Sequence, residues 1–480
     1  MTGTGENAGP ADPGGRHVFT SAQVSQMRGA LDEFRRGPGY EPGRWKVSDV
    51  NRRSDVLGAQ PPPRVHIRDL TLRVSEQMSD VALSHQQRLD LLGALVRAGV
   101  SSVQTSHFGR GHTLQEMRDE VQVARSIDPE CELQYVGVRG LPDLDLAREA
   151  GYDMVGVTSG TYLGAALPAY AGAVYHRAWQ GRPWHDLRFP RASSEVTDRT
   201  RRLVDAAAAR GLKVSASVLL LSYADDEFVA QYCRGVADAG ATEVTLGDHA
   251  SGVSPEGFAH FVRVAHEAAP GLEVSAHTHG MFGLASACCL TAGLAGAEVL
   301  ETSINGFAEG PMQGDLAQVA AGLEMLYGVA TGVDLRHLTG LARRAEELIG
   351  AGRPADWPIT GTGVFDFGND GDEYAGEFDV DPLIHMSVVP EAVGNSRHRR
   401  IGLVSGPWTL WDKLDELGIS VQKSDVDRIL AAARKEMAAR GTGLSDDEIR
   451  DIATRELGHP PAPPADRAPE TQDAAGEAPA

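Results

Sequence analysis

The stretch SAHTHGMFGLASA, residues 275–287, sets two histidines one residue apart at the end of a short apolar run, directly before a small-residue segment that reads as a helix. Period-two geometry puts His277 and His279 on the same face of a strand. Neutral imidazoles so placed can chelate one divalent ion. A pair at the end of a strand and ahead of a helix gains meaning if the same order repeats along the chain.

It does repeat. β-rich runs at residues 65–73, 101–107, 132–138, 153–158, 212–220, 243–247, 272–279 and 298–304 are each followed by a helical pattern, as at 84–98, 114–127, 225–239, 255–268 and 316–327. Ala-Gly pairs close helices before the next strand at Ala98-Gly99, Ala150-Gly151 and Ala239-Gly240, where glycine suits a left-handed terminus. Eight such units define an α/β chain folded as a (β/α)8 TIM barrel. A doubly wound sheet would also alternate, but no GxGxxG follows the first strand. Residues 1–62 read as a partly disordered N-terminal arm, 63–330 as the barrel, 331–458 as a small helical C-terminal extension and 459–480 as a disordered tail. Within the extension, Ser445 to Glu448 form a capping box. In a barrel of this kind the reactive groups lie at the C-terminal ends of the strands, where His277 and His279 fall.

Composition narrows the function. The 480-residue chain is 42% hydrophobic with a formal net charge of -21. That charge disfavours nucleic acid as a partner. No run approaches the roughly 18 apolar residues needed to span a bilayer, and the first residues lack a signal-peptide pattern, so a cytoplasmic protein is expected. Cys131, Cys233, Cys288 and Cys289 show no CxxC spacing and are read as reduced thiols. The only lysine between residues 63 and 330, Lys213, opens the fifth strand, the wrong end for a Schiff base. Between residues 162 and 191, Tyr162, Tyr170, Tyr175, Trp179, Trp184 and Phe189 form a dense aromatic insertion after the fourth strand. It reads equally as a lid over a large substrate or as a subunit-contact flap.

Three segments together, DLTLRVSEQ (69–77), HTHGMFGLASA (277–287) and SINGFAEGPMQGDLAQV (303–319), resemble the pyruvate carboxyltransferase or HMG-CoA-lyase-like superfamily. Within it the chain is most similar to the 2-isopropylmalate, homocitrate and citramalate synthases. PEAVGNSRHRRIGLVSGPWTLWDKLDELGI (390–419) extends the likeness beyond the barrel. The resemblance implies a C–C bond made or broken between a 2-oxo acid and an acyl thioester such as an acyl-CoA. It implies a divalent ion (zinc, magnesium or manganese) on an Asp, two His and an Asn, an arginine for the developing oxyanion, and a homodimer. By match of position it assigns Arg73 as that arginine, with His277, His279 and Gln313 as metal ligands. Glu373, His385 and His249 join Arg73 as catalytic candidates. Gln77, Gln104, His107, Arg139, Ser303 and Asn305 are substrate-binding candidates.

The chain departs from that pattern at several of these positions. Val74 stands where the metal-binding Asp belongs, and Leu219 where a Glu is expected on strand five. Gln104 replaces the acidic residue ending strand two, Gln313 the Asn ligand, and Glu373 a histidine of the small subdomain, while His385 aligns with a tyrosine. Without the Asp, another carboxylate or imidazole must enter for a metal to be held well; Glu76, Asp80, Asp248, His107 and His249 are the candidates, and His249, beside the histidine strand, is the foremost. These departures point to a non-standard substrate in specialised metabolism. Two other readings stay open: a catalytically silent relative that binds a ligand or partner, and a metal-free enzyme in which the histidines move protons directly.

Overall fold

Strands that bury both faces cannot alternate polar and apolar residues; they need cover on each side, which a parallel barrel ringed by helices supplies. Glu243–Asp248 is buried along its whole length, and Lys213–Val218 and Glu273–Thr278 at every residue after the first. A computed structural model describes residues 20–106, 112–138, 140–158, 167–183, 185–187, 193–368 and 380–458. In it, β1 (His66–Asp69), β2 (Ser102–Ser106), β3 (Glu132–Val136), β4 (Met154–Thr158), β5 (Lys213–Val218), β6 (Glu243–Asp248), β7 (Glu273–Thr278) and β8 (Val299–Thr302) form a closed barrel in sequence order. Every neighbouring pair is parallel, and β8 closes on β1 with Val299 opposite His66. The barrel is a (β/α)8 fold.

Helices form where expected, for reasons visible in their ends. Ser84 and Gln87 make a capping box for His85–Arg97, and Thr113 and Glu116 one for Leu114–Ile127. The three Ala-Gly junctions carry their glycines at φ +86, +93 and +96. Gly99 is the most constrained, since a Cβ there would sit 2.3 Å from the Gly332 carbonyl oxygen.

Most strands end within two residues of their sequence pattern, and two elements depart further. The first strand stops at Asp69, because its carboxylate accepts from the Thr71 amide at 2.8 Å and the Thr71 hydroxyl at 3.0 Å. That local closure starts a helical turn, Thr71–Val74. Arg73 therefore rises from a turn rather than from the strand. The pattern 316–327 splits into an α-helix, Leu316–Ala321, and a π-helical turn, Gly322–Tyr327.

The chain divides into two compact units. One, residues 37–364 with 390–395, contains the barrel. The other gathers residues up to 36, 365–389 and 396 onward. In this second unit Thr20 and Gln23 cap the helix Ser21–Asp32, whose Arg28 donates to the Val380 carbonyl at 2.8 Å. Helices Pro407–Glu416, Lys423–Arg440 and Asp446–Leu457 bury Leu410, Leu414, Ile429 and Ile452 in a core of their own. Ser445 caps the last of them, together with Glu448. No helix among the described residues is long and apolar enough to cross a membrane.

Candidate active site

The barrel interior is polar from floor to mouth. At the floor, among the first residues of the strands, Arg68 makes a two-pronged ion pair with Glu243 (2.7 and 2.9 Å) and reaches Glu132 at 3.1 Å and Ser102 at 2.9 Å. Glu132 also pairs with Lys213 at 2.9 Å, so that lysine is engaged at the end opposite the chemistry. These carboxylates hold Arg68 firmly protonated in spite of its complete burial.

One level up, Glu301 on β8 ties the floor to the mouth. Its Oε1 accepts from Gln104 at 3.0 Å and from Arg68 at 3.5 Å, and its Oε2 faces His277 Nδ1 at 2.7 Å. Burial raises the Glu301 pKa, with Arg68 and Arg73 acting against that rise. Gln104 also donates to Gln134 at 2.6 Å and accepts from Arg73 Nε at 2.8 Å.

At the mouth stand Arg73 and the histidines. Arg73 is 8% exposed and bonds only neutral amides, Gln104 and, at 3.2 Å, Gln77. Among the described residues no carboxylate lies within ion-pair distance of it. Burial lowers its pKa to about 10, although Glu301 draws it upward. His277 and His279 turn their Nε2 atoms toward each other at 3.2 Å. His279 Nδ1 meets the Pro311 carbonyl at 2.9 Å, and the Gln313 amide nitrogen sits 3.1 and 3.5 Å from the two Nε2 atoms. His249, the residue after β6, brings its ring centroid to 5.1 Å from that of His277 and 4.7 Å from that of His279. Desolvation, then His279 and Arg73, hold His277 well below the usual histidine range; desolvation and Arg73 lower His279 against the pull of the Pro311 carbonyl. His249 shifts down for the same reasons as His277. Its residue is open to solvent at the rim while its ring lies among the other two.

Two adjoining cavities open here. One of about 580 Å³ runs into the barrel, past Gln104, Gln134, Gly156, Ser215, Ser217, Leu219 and Thr245. The other, about 170 Å³, lies against Val74, His279 and Gln313. Arg73, Gln77, His249 and Glu309 line both.

The structure thus brings together Arg73, Gln77, Gln104, His249, His277, His279 and Gln313. It does not bring in Ser303 and Asn305, which are absent from both cavity linings. The Ser303 hydroxyl donates to the Phe307 carbonyl at 2.7 Å, and Asn305, at φ +56, donates to Ala342. Both shape the loop after β8. His385 is an exposed residue of the other compact unit. His107, Arg139 and Glu373 lie outside the described residues. In the aromatic insertion, Tyr175 and Trp179 are exposed on the helix Leu167–Trp179, and nothing is described of the other four aromatic side chains.

The carboxylates considered as replacements for the missing Asp are engaged or remote from the imidazoles. Asp248 accepts from the Ser222 amide and hydroxyl and from the Gly252 and Val253 amides, at 2.6 to 3.2 Å. Glu76 pairs with Arg88 at 2.9 Å, and Asp80 is exposed and lines neither cavity. Sequence reasoning missed Glu301 and Arg68. Their signal was a charged residue inside a short strand that must be buried on both faces.

Residues 185–344 match the model of the HMGL-like family. That match takes in the second half of the barrel and the start of the segment after it. The chain is 28% identical over 405 residues to a putative (R)-citramalate synthase of Methanopyrus kandleri, covering 84% of this chain and 74% of that protein. It is 28% identical over 387 residues to the 2-phosphonomethylmalate synthase of Streptomyces rubellomurinus, covering 80% and 97%. It is 26% identical to the homocitrate synthase of Sulfolobus acidocaldarius, covering 77% and 74%. Among solved structures, an HMG-CoA lyase of Bacillus subtilis superposes with TM-score 0.48 at 21% identity, covering 61% of this chain and 96% of that one.

Proposed function

We propose that the barrel makes or breaks a C–C bond between a 2-oxo acid and an acyl thioester, in a Claisen or aldol sense, on a substrate other than that of ordinary 2-isopropylmalate synthesis. The observation that carries this reading is Arg73. A buried guanidinium with only amide partners is an expensive arrangement unless an anion completes it, and its cavity is shared with the imidazoles. A substrate carboxylate or a developing alkoxide meets that need.

The roles follow from the contacts. Gln104 and Gln77 fix the plane of Arg73, so its remaining N–H groups are preorganised toward the cavity. Glu301 orients His277, and Pro311 orients His279. His277 and His279, with Gln313 beside them, would hold a divalent ion. When bound, that ion supplies Lewis-acid polarisation of the 2-oxo carbonyl. Deeper in the barrel, Ser215, Ser217 and Thr245 offer hydroxyls to the distal part of the substrate, while Leu219 gives one apolar wall. The partners are therefore small molecules, and a cytoplasmic homodimer is the setting the resemblance implies.

The test is thiol release from acetyl-CoA and longer acyl-CoAs with a panel of 2-oxo acids. Turnover should appear with at least one pair, and Arg73→Ala should lower kcat/KM about 10²- to 10³-fold, the usual loss for one oxyanion donor. The apolar residues Val74 and Leu219 favour one second reading, a catalytically silent barrel that binds a carboxylate ligand. Arg73-dependent binding of a 2-oxo acid with no thiol release from any acyl-CoA would support that reading and refute the first.

A further inference from the structure

We propose that His249, His277 and His279 form a three-nitrogen centre that selects a borderline-soft divalent ion, zinc above all, and rejects magnesium. The resemblance supplied the expectation of a metal on two of these histidines. The sequence marked the missing Asp and offered His249 as a replacement; the structure places its ring beside the other two and leaves the carboxylates outside the cluster, and with that the choice of ion.

The direction of the lone pairs comes first. A carbonyl oxygen only accepts, so the contact with Pro311 leaves the proton of His279 on Nδ1. Glu301 already accepts from Arg68 and Gln104, so His277 Nδ1 donates to it in turn. Both Nε2 atoms therefore carry lone pairs, and these face each other across 3.2 Å. Carboxylate and carbonyl partners on the far nitrogen are the usual outer support of a metal-bound histidine. Two acceptors this close repel unless a donor or a cation lies between them; the Gln313 amide nitrogen, 3.1 and 3.5 Å away, is the donor here, and a metal ion would take its place.

The third donor comes from the next strand. Gly247 of β6 is paired with His277 of β7, so the residue leaving β6 emerges beside the histidine pair. Asp248 accepts two hydrogen bonds from the following turn, at Gly252 and Val253, and two from Ser222 after the neighbouring strand, which fixes where His249 leaves the barrel. One ligating nitrogen from each of the three rings falls within a common span of 4.8 Å. A further polar atom is unsatisfied here: Gln313 is 1% exposed, and among the described residues its Oε1 has no hydrogen-bond partner. Rotating that amide would present an oxygen to the same space.

The donor chemistry then decides the ion. The donors in the cluster are three imidazole nitrogens, the Glu301 carboxylate stands behind His277 rather than among them, and Val74 lines the adjoining wall. Magnesium requires oxygen ligands in a near-octahedral set and gives up water reluctantly. Imidazole suits zinc and its transition-metal neighbours. Three histidines with an open fourth position beside a cavity is a zinc arrangement that leaves room for a substrate oxygen.

The test reads metal and not turnover, so it stands or falls apart from the proposed reaction. Untagged full-length protein is stripped with a chelator, dialysed against zinc, cobalt, manganese or magnesium chloride, and analysed for metal content and thermal midpoint. About one zinc per chain is expected, with a raised midpoint for zinc and cobalt and none for millimolar magnesium. The cobalt form should show the intense visible bands of a four- or five-coordinate ion. Outer partners alone are worth about 10- to 100-fold in affinity, so loss of a direct ligand in His249→Ala should weaken zinc binding by about 100-fold or more. His337→Ala, an exposed histidine elsewhere, should not. Val74→Asp should create a response to magnesium or manganese. Zinc content below a fifth of stoichiometry, magnesium competing equally with zinc, or unchanged zinc affinity in a folded His249→Ala would each overturn the assignment. If His249→Ala does not fold, the wild-type cobalt spectrum and the magnesium competition decide alone.

Discussion

At the scale of single residues, the site is a chain of contacts from the barrel floor to its mouth: Arg68 to Glu301, Glu301 to His277, and Gln104 linking Glu301 to Arg73. Glu301→Gln keeps the shape but removes the charge behind His277. Zinc affinity should fall about 10- to 100-fold, measured by competition with a chromophoric chelator, while circular dichroism stays unchanged. The residues at the mouth were legible because a motif of fixed spacing carries them: Arg73, Gln77, His277, His279 and Gln313 converge as their positions implied. Glu301 was passed over although it lies inside the strand, since the run AEVLETS carries two acidic residues, Glu298 and Glu301, and nothing local tells which of them faces inward. Only closure of the barrel turns it inward. His249 was visible as a histidine after an aspartate, but its ring contacts depend on which strand neighbours which.

At the scale of elements, loop anchors decide where the chemistry stands. The turn that carries Arg73 is nucleated by Asp69, and the one that carries His249 by Asp248. Asp248→Ala removes the two anchoring bonds of that turn and the two that tie it to Ser222 of the neighbouring loop. It should weaken zinc binding nearly as much as His249→Ala while the far-ultraviolet spectrum persists. Gly99 tests the helix-to-strand junctions in a different way. Gly99→Ala forces a side chain into left-handed backbone and against the Gly332 carbonyl. It should cost at least about 2 kcal/mol, read as a lower thermal midpoint. These junctions were legible in the sequence because alanine followed by glycine has few structural meanings. The early stop of the first strand was hidden, since DLTLR alternates well enough to pass for continued strand, and only the aspartate-threonine hydrogen bonds end it.

At the scale of the whole molecule, the barrel was legible from its count of eight repeats, whereas the gathering of residues 20–36 with 396–458 into a second unit was not, because contacts so distant in sequence leave no local period. Stability against pH is also a property of the whole molecule. Burial holds the Asp69 pKa up at about 7, against hydrogen bonds from Thr71 that lower it. The folded state then keeps a proton that the unfolded chain loses near pH 4, so this contribution is full below about 4 and is lost as pH rises through 7. The ceiling is about 4 kcal/mol. Glu301 and Asp315 shift in the same sense, and the three imidazoles in the opposite one. The urea midpoint of Asp69→Asn minus that of the wild type, followed from pH 4 to 8, should therefore rise with pH. A flat difference would place the carboxyl in a more hydrated setting. The unpaired guanidinium at the mouth has one last consequence. A chain of net charge -21 repels anions at long range, and only at the opening does attraction take over. The Debye length shrinks from about 30 Å at 0.01 M salt to about 10 Å at 0.1 M. Capture of an anionic substrate should accordingly quicken over that interval, before further salt blunts the local pull, the reverse of ordinary electrostatic steering.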